Sequence, residues 1–235
     1  VLDDLIQSEG LQYLPYDYVH YDSPDERGID TALLYNKDLF ELLESKAIPI
    51  ILYGTNKVRD YTRDILYVKG ILNNELVHIY VNHWPSKRSG FDETRLKRIE
   101  IARILHQKID TIEEENPKVI IMGDFNDNPD DDSIYKHLVS EKYINPSLKL
   151  YQNGKGASKF YGQWMLFDQI ILSKNFFIPD ESSLVFKEAA VFNALFLENP
   201  RGRHKSEPFR TYTGKYYQGG YSDHFPVYVL LDKKA

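Results

Sequence analysis

The chain has 235 residues, 42% of them hydrophobic and 14% aromatic, so it can bury a substantial core and is most simply one domain. A formal net charge of −6 argues against a protein that holds nucleic acid by a broad basic surface, because such binding depends on neutralising phosphates. The lack of cysteine excludes disulfides and thiolate metal sites, and no apolar run approaches the ~20 residues of a membrane span. Compartment and oligomeric state stay open.

The hydrophobic pattern predicts short strands and one long helix. Residues 1–8 have an amphipathic helical pattern, and residues 92–115 have apolar side chains at helical spacing with Pro117 just after them. The strand at 64–69 is expected to pair with the strand at 76–81 through a polar turn. All the predicted strands lie at residues 29–35, 48–53, 64–69, 76–81, 118–122, 167–172 and 225–231.

Two further segments fall between these elements. The acidic run at residues 130–133 is typical of a helix start, where negative charge suits the helix dipole, so we interpret it as capping and not as a metal site. Residues 193–221 contain several Arg and Tyr residues with little apolar periodicity and predict a long loop. Long loops in compact domains are often functional.

Polar side chains suited to metal and acid–base chemistry stand at the ends of four predicted strands. In the run Gly-Asp-Phe-Asn-Asp, Gly123 lets the backbone turn so that the acid and amide after it project from the strand end. The four clusters supply His83, Asp124, Asn126, Asp168, Asp223 and His224. Such a set can bind a hard divalent ion and move protons. The alternative is a series of Asx-type turns, which are common at strand ends and need no function.

Four motifs carry a resemblance to a known family. They are NHWPS, GDFND, FDQIIL and SDHFPV, in this order, within a region from about Arg27 to the C-terminus. In these motifs the chain resembles the endonuclease/exonuclease/phosphatase superfamily, which includes pancreatic-type deoxyribonuclease, AP endonucleases, neutral sphingomyelinases and inositol polyphosphate 5-phosphatases. The resemblance implies an α/β fold, a four-layered sandwich of two mainly antiparallel sheets flanked by helices, with Mg²⁺ or Mn²⁺ at one edge.

The resemblance also implies roles for individual residues. Asp223, with Asp124 and Asn126, would hold the ion against a phosphate oxygen, where it acts as a Lewis acid. Asp124 and Asn126 would also position or activate the attacking water. Asp168 would accept a hydrogen bond from one nitrogen of His224 and so fix the tautomer of the ring.

Further residues are implied at the substrate. His83 would bond a non-bridging phosphate oxygen or protonate the leaving group, with Asp30 orienting its ring. Arg63 matches a family position that contacts phosphate, and its planar fork suits that role. Arg27 is a second candidate for binding phosphate.

The start of the chain differs from the family pattern. In the family an early strand brings an Asn and the next strand a Glu that is a principal metal ligand, and both precede the matched region. Residues 1–8 resemble the helix that would follow that Glu, and Asp3, Asp4 and Glu9 are interpreted as solvated helix charges. We therefore expect the chain to be N-terminally incomplete, without one wall of the metal site and an inner strand of one sheet.

Two classes of function follow. The first is a metal-dependent phosphodiesterase or nuclease, whose substrate could be DNA, RNA, a lipid head group or a small phosphoester; a phosphomonoesterase acting on a small or lipid phosphate is an alternative within this class. The second is a non-catalytic binding protein that keeps the fold. The otherwise complete catalytic set favours the enzyme.

Overall fold

The structure is a computed structural model that describes residues 1–54, 57–87, 90–179 and 183–233. Within these residues the α-helices are α1 (Leu2–Ile6), α2 (Phe91–Ile109) and α3 (Ser147–Gln152). The strands there are β1 (Tyr16–His20), β2 (Ala32–Asn36), β3 (Phe40–Ile48), β4 (Leu52–Tyr53), β5 (Arg59–Asp60), β6 (Ile65–Leu72), β7 (Glu75–His83), β8 (Lys118–Asp124), β9 (Tyr143–Ile144), β10 (Ser158–Phe160), β11 (Gln163–Met165), β12 (Asp168–Ser173), β13 (Val185–Val191), β14 (Tyr212–Thr213), β15 (Tyr216–Tyr217) and β16 (Val227–Asp232).

Six of the described strands form a central sheet in the order β3-β6-β7-β8-β12-β9. The neighbours β7 and β8 are parallel, so their carboxyl ends meet at one edge, where His83 is in register with Asp124. On the other side of β8, Asp168 at the start of the antiparallel β12 is also in register with Asp124. Three of the candidate site residues therefore stand side by side on three adjacent strands.

One face of the central sheet is covered by α2. Ile101, Leu105 and Ile109 of this helix are four residues apart in sequence and so share one stripe of its surface. They belong to the same buried cluster as Tyr80 and Ile121 of the sheet. Fully burying one such side chain contributes about 1.5–3 kcal/mol relative to leaving it exposed.

Two antiparallel ribbons, β1–β2 and β13–β16, pack on the opposite face. Val19 and Leu33 of the first ribbon are buried with Val68 and Ile79 of the central sheet, and Leu231 of the second ribbon packs against the same cluster. The helices α1 and α3 contact β1 and β13 respectively. The expected α/β sandwich is confirmed, with the difference that, within the described residues, its second layer consists of two separate ribbons.

Pro49 accounts for one difference between the predicted and observed strands. We predicted a continuous strand over residues 48–53, but β3 ends at Ile48 and strand structure resumes only over the two residues of β4. Proline has no backbone N–H to donate to a sheet ladder, so the strand cannot continue through this position.

The hairpin predicted between residues 64–69 and 76–81 is confirmed as the antiparallel pair β6–β7. Its turn residues Asn73 and Asn74 both have positive φ, of 49° and 69°. Asparagine tolerates this left-handed conformation better than most residues do, and two such residues in succession match the right-handed twist of the flanking strands.

The capping role predicted for the acidic run is wrong. A π-helix at Ser133–Leu138 does follow it, but Asp132 at the N-cap makes no side-chain capping hydrogen bond. Its carboxylate instead forms ion pairs with Arg95 and Lys136. Asp132 therefore pairs with one side chain of α2 and with one of the helix that follows it, and it makes no capping hydrogen bond.

The long helix is shorter than its pattern suggested, because α2 ends at Ile109 and not near residue 115. The predicted loop at 193–221 is largely irregular, with a 3₁₀ turn at Leu195–Leu197 and the small hairpin β14–β15. Among the helices of the described ranges, none has both the length and the apolar character needed to cross a membrane.

Candidate active site

A cavity of about 400 Å³ opens at the sheet edge where β7, β8 and β12 meet. The six polar residues found at predicted strand ends all line it, and so does Arg27, whereas Arg63 does not. Its polar lining comprises Arg27, His83, Ser86, Lys87, Asp124, Asn126, Ser158, Lys159, Asp168, Arg210, Ser222, Asp223 and His224. Residues from opposite ends of the chain thus converge on one concave surface.

The backbone at the end of β8 has an unusual conformation that orients the side chains of Asp124 and Asn126. Gly123 has φ of 138°, and a Cβ built there would lie 1.9 Å from the carbonyl oxygen of Asn82, so only glycine lets β7 and β8 approach this closely. Asn126 follows with φ of 50°, and its amide N–H donates to Oδ1 of Asp124 over 2.8 Å. The Asx-type turn considered as an alternative is present, and it forms part of the site.

Trp84 joins this turn to the end of β7. Its amide N–H donates to the carbonyl of Asp124 over 2.9 Å, and its own carbonyl accepts from Nδ2 of Asn126 over 2.9 Å. The indole is buried against Phe125 in an edge-to-face contact. Because His83 immediately precedes Trp84, these bonds fix the two loops relative to each other.

His224 and Asp168 form a close pair in the cavity. Nδ1 of His224 lies 2.7 Å from Oδ2 of Asp168, and both side chains are mostly buried. Burial alone would lower the pKa of His224, but the hydrogen bond and charge of Asp168, with the charges of Asp124 and Asp223, raise this pKa to about 9. The imidazole is therefore positively charged at neutral pH.

The pKa of the second imidazole of the cavity, that of His83, is shifted in the opposite direction. Burial, followed by the positive charges of Arg63, Arg27 and His224, lowers the pKa of His83 to about 4. Its Nε2 lies 3.6 Å from Oδ2 of Asp124. Neighbouring titratable groups with divergent pKa values commonly divide acid and base roles between them.

The carboxylate of Asp124 interacts with both rings. Burial and the nearby charge of Asp168 raise its pKa to about 6, partly opposed by His224 and by the hydrogen bond from the amide of Asn126. The carboxylate is thus ionised at neutral pH and is closer to proton exchange than an exposed aspartate.

The structure corrects two of the substrate-side assignments. Arg63 is buried away from the cavity lining, with Nη1 donating to Asp25 and Nη2 to the Trp84 carbonyl, both over 2.8 Å. Both of its terminal nitrogens therefore already donate to protein acceptors. Asp30, expected to orient His83, instead lies 3.1 Å from Nε2 of His20.

A buried network, not predicted from the sequence, supports the loops of the site. Arg98 of α2 is fully buried and donates from Nε to Oδ2 of Asp127 over 2.7 Å, and the same oxygen accepts from Ser133 over 2.6 Å. Lys87 lies 3.0 Å from the other oxygen of Asp127. The available signal was that Arg98 continues the apolar stripe of α2, three residues before Ile101, where an arginine needs a buried partner.

Three cations of the lining were also missed: Lys87, Lys159 and Arg210. Lys159 lies in the hairpin strand β10 and pairs with Glu207 over 3.3 Å, and Arg210 lies 3.8 Å from Oδ2 of Asp223. No local motif marks them, because loop geometry alone brings them to the cavity. Together with Arg27 they favour an anionic ligand.

The cavity offers the oxygen ligands that Mg²⁺ and Mn²⁺ prefer. Asn126 uses its amide nitrogen on Trp84, which leaves its amide oxygen available, and the half-exposed Asp223 and the partly buried Asp124 line the same cavity. Two carboxylates and an amide suit an ion that keeps several waters and takes phosphate oxygens. Among the acid and imidazole groups of the described ranges, three ligand atoms come within 4.8 Å of one another only at His20, Asp22 and Asp30. The acids of the cavity do not form such a cluster.

Solved structures with a similar fold cover nearly all of this chain. The D. rerio TDP2 structure complexed with single strand DNA product has a TM-score of 0.64 and 17% identity, covering 98% of this chain and 81% of that chain. The endonuclease/exonuclease/phosphatase from Bacteroides vulgatus has a TM-score of 0.63 and 16% identity, covering 99% and 80%. The mannosyl-6-phosphatase of Bacteroides thetaiotaomicron has a TM-score of 0.56 and 18% identity, covering 93% and 77%.

At these identities the likeness shows a shared fold and no more. A comparison with curated protein sequences found no match. A model of the Endonuclease/Exonuclease/phosphatase family, by contrast, matches residues 1–233, which is almost the whole chain. On this match, and with the site of its motifs assembled at one sheet edge, the chain belongs to the Endonuclease/Exonuclease/phosphatase family.

Proposed function

We propose that this chain is a divalent-metal-dependent phosphodiesterase that uses Mg²⁺ or Mn²⁺. The observation that carries the proposal is the His224–Asp168 pair, which faces the same cavity as His83, Asp124 and Asn126. Membership of the family supports phosphoester hydrolysis in general. The D. rerio structure with its single strand DNA product supports a nucleic-acid phosphodiester as one candidate substrate.

The metal-binding part of the site consists of Asp223 as the main anchor, with oxygen atoms of Asp124 and Asn126 beside it. A bound Mg²⁺ or Mn²⁺ would act there as a Lewis acid that offsets charge on the phosphate. Arg27 and Lys159 line the same cavity and attract the anionic substrate.

The side chains of the cavity divide the proton transfers between them. Asp124, ionised at neutral pH with a pKa of about 6, accepts a proton from the attacking water, which Asn126 helps to position. The water oxygen forms a bond to phosphorus as the bond from phosphorus to the leaving oxygen breaks. His224, charged and oriented by Asp168, donates its proton to that leaving oxygen. His83, which is neutral, donates its N–H to a non-bridging oxygen.

A phosphomonoesterase is the second candidate. Four cationic side chains, those of Arg27, Lys87, Lys159 and Arg210, line the cavity, and this number suits the extra charge of a phosphate monoester. The mannosyl-6-phosphatase from Bacteroides thetaiotaomicron supports the same reading.

The proposal is tested by assaying bis(p-nitrophenyl) phosphate and p-nitrophenyl phosphate in parallel with Mg²⁺, with Mn²⁺ and with a chelator. We expect metal-dependent release of nitrophenol that is faster from the diester, and faster release from the monoester would select the second candidate. The surface variant His106→Ala is the matched control and should keep the wild-type rate. No hydrolysis of either ester with either metal would contradict the proposal and favour a non-catalytic binding protein.

A further inference from the structure

Asp25 is a buried carboxylate placed between two arginines. Its side chain is only 5% exposed, and Oδ2 accepts a hydrogen bond from Nη1 of Arg63 over 2.8 Å. Its other oxygen accepts from the backbone amide of Arg27 over 3.0 Å and lies 3.6 Å from Nε of the same residue. Burial opposes ionisation, but the bond from Arg63 and the amide of Arg27 hold the pKa of Asp25 below its ordinary value. The group is therefore a permanent anion at neutral pH.

The turn that begins at Asp25 directs Arg27 toward the cavity. The amide of Gly28 donates to the carbonyl of Asp25 over 2.9 Å, and Gly28 has φ of 65°, which closes a four-residue turn. Aspartate is favoured at the first position of such turns because its side chain accepts from the backbone two residues on, as it does here from Arg27. An arginine that lines the cavity but is half exposed would otherwise sample many rotamers.

Arg63 connects Asp25 to the segments that carry Trp84 and Asn126. Nη2 of Arg63 donates to the carbonyl oxygen of Trp84 over 2.8 Å, and the same oxygen accepts from Nδ2 of Asn126 over 2.9 Å. Arg63 is thus separated from the amide of Asn126 by one shared acceptor atom. If the guanidinium moved, the Trp84 carbonyl would lose one of its two donors, and the position of Asn126 would be less defined.

We propose that Asp25 is a positioning residue of the active site, which aims Arg27 at the substrate phosphate and, through Arg63 and the Trp84 carbonyl, fixes Asn126. This inference rests on the proposed phosphoester hydrolysis and adds a residue to it. Asp25 touches neither substrate nor reacting atoms; it acts through the two guanidinium groups that it holds.

The experiment compares Asp25→Asn with Glu26→Gln, which removes the same charge from an exposed side chain in the same turn. For Asp25→Asn we expect KM for bis(p-nitrophenyl) phosphate to rise about tenfold, the scale of one lost charge-assisted hydrogen bond. Glu26→Gln should leave KM and kcat unchanged. A KM for Asp25→Asn within twofold of wild type would overturn the proposal.

A double-mutant cycle separates positioning from general structural damage. Arg27→Ala should raise KM by a similar factor, and Asp25→Asn in that background should add little further increase in KM, because Arg27 is already gone. An effect through Arg63 on Asn126 should remain and should lower kcat. If the effects of Asp25→Asn and Arg27→Ala on KM multiply, Asp25 does not act by orienting Arg27, and this part of the proposal is contradicted. If Asp25→Asn does not fold, Asp25→Glu keeps the charge but displaces the carboxylate, and wild-type KM and kcat in that variant would also overturn the proposal.

Binding of inorganic phosphate, measured by calorimetry, gives a readout that does not need turnover. Asp25→Asn should weaken it about tenfold, and Glu26→Gln should not. If the wild-type protein hydrolyses neither ester, the proposed function fails, and the calorimetry still decides the positioning role. Equal phosphate affinity in Asp25→Asn and Glu26→Gln would then contradict the positioning role of Asp25.

Discussion

Nδ1 of His224 lies 2.7 Å from Oδ2 of Asp168, although the two residues are 56 positions apart in the chain. Asp168 begins β12, and its register with Asp124 on β8 places Asp168 next to a second carboxylate of the cavity, that of Asp124. The contact explains why an acid stands at the start of a strand whose centre, Ile170 to Leu172, is apolar. It also supplies the charge that raises the pKa of His224 to about 9 against the effect of burial.

Replacing Asp168 by Asn tests this pair. The amide keeps the shape but removes the negative charge, so the pKa of His224 should fall and a smaller fraction of the ring should be charged at neutral pH. We expect kcat to fall by ~10²- to 10⁴-fold, the range known for mispositioned or wrongly protonated catalytic imidazoles. NMR titration of the ring measures the pKa, and steady-state kinetics measure the rate. If Asp168 served only the sheet, the melting temperature would drop while kcat and the His224 pKa stayed unchanged.

Asp127 should prove important for stability. Asp127→Ala removes the acceptor of the fully buried Arg98 and also the partner of Ser133 and Lys87. Breaking a buried ion pair by removing one partner destabilises proteins by about 3–5 kcal/mol, and we expect a loss of that order in the free energy of unfolding. Urea denaturation measures it. Asp110→Ala, which removes surface contacts with Lys142 and His106, is the control and should cost less than about 1 kcal/mol. Equal losses would show that the network contributes little.

Gly123 should not tolerate a side chain. In Gly123→Ala the new Cβ would lie 1.9 Å from the Asn82 carbonyl oxygen at φ of 138°, so β7 and β8 must separate or the backbone must change. Strained backbone conformations of this kind cost about 1–3 kcal/mol of stability. The substitution should also displace the adjacent Asp124, and activity should therefore fall. Thermal melting and the diester assay report the two effects. Gly10→Ala, where a Cβ meets nothing within 4 Å, should change neither; a wild-type melting temperature for Gly123→Ala would contradict the close approach of the strands.

Glu75 gives a prediction for acid stability. It accepts hydrogen bonds from Lys118, Ser183 and the amide of Leu184, and these lower its pKa although burial opposes them. The unfolded chain, with a Glu pKa of about 4.3, then binds the proton more readily than the folded one. The ionised group therefore stabilises the fold at neutral pH, and this contribution is lost as the pH falls through the folded pKa.

The measurement compares the free energy of unfolding of wild type and Glu75→Gln from pH 7 down to pH 3. The wild type should be more stable at neutral pH, and the difference should shrink as Glu75 becomes protonated. Glu113→Gln, at an exposed position, should match the wild type throughout. A difference between wild type and Glu75→Gln that stays constant with pH would show that the ion pair is not its source.

The elements that carry the site could be predicted because their signals are local. Short apolar runs mark β8 and β12, and polar residues at their ends, such as Asp124 and Asp168, follow directly from the sequence. The pairing of β6 with β7 follows from two adjacent asparagines in a short turn. Where a single residue interrupted the local pattern, as at Pro49, the predicted strand ran across the break between β3 and β4.

The residues that support the site could not be predicted in this way, since their partners are distant in the sequence. Arg98 and Asp127 are 29 positions apart, and Asp25 and Arg63 are 38 apart. An arginine on a helix or an aspartate in a turn looks locally like a surface charge. Only the packing of α2 on the sheet and the closure of the loop before β2 bring each pair together and remove it from water.

The most direct test of the account is the rate of diester hydrolysis by His224→Ala in saturating Mn²⁺, beside wild type and His106→Ala. We predict a loss of about 10² or more in kcat for His224→Ala, with a melting temperature close to wild type, because removing a proton-transfer group costs that much. His106→Ala should retain the wild-type rate. A folded His224→Ala protein that turns over like the wild type would show that the cavity at the ends of β7 and β8 does not carry out the chemistry.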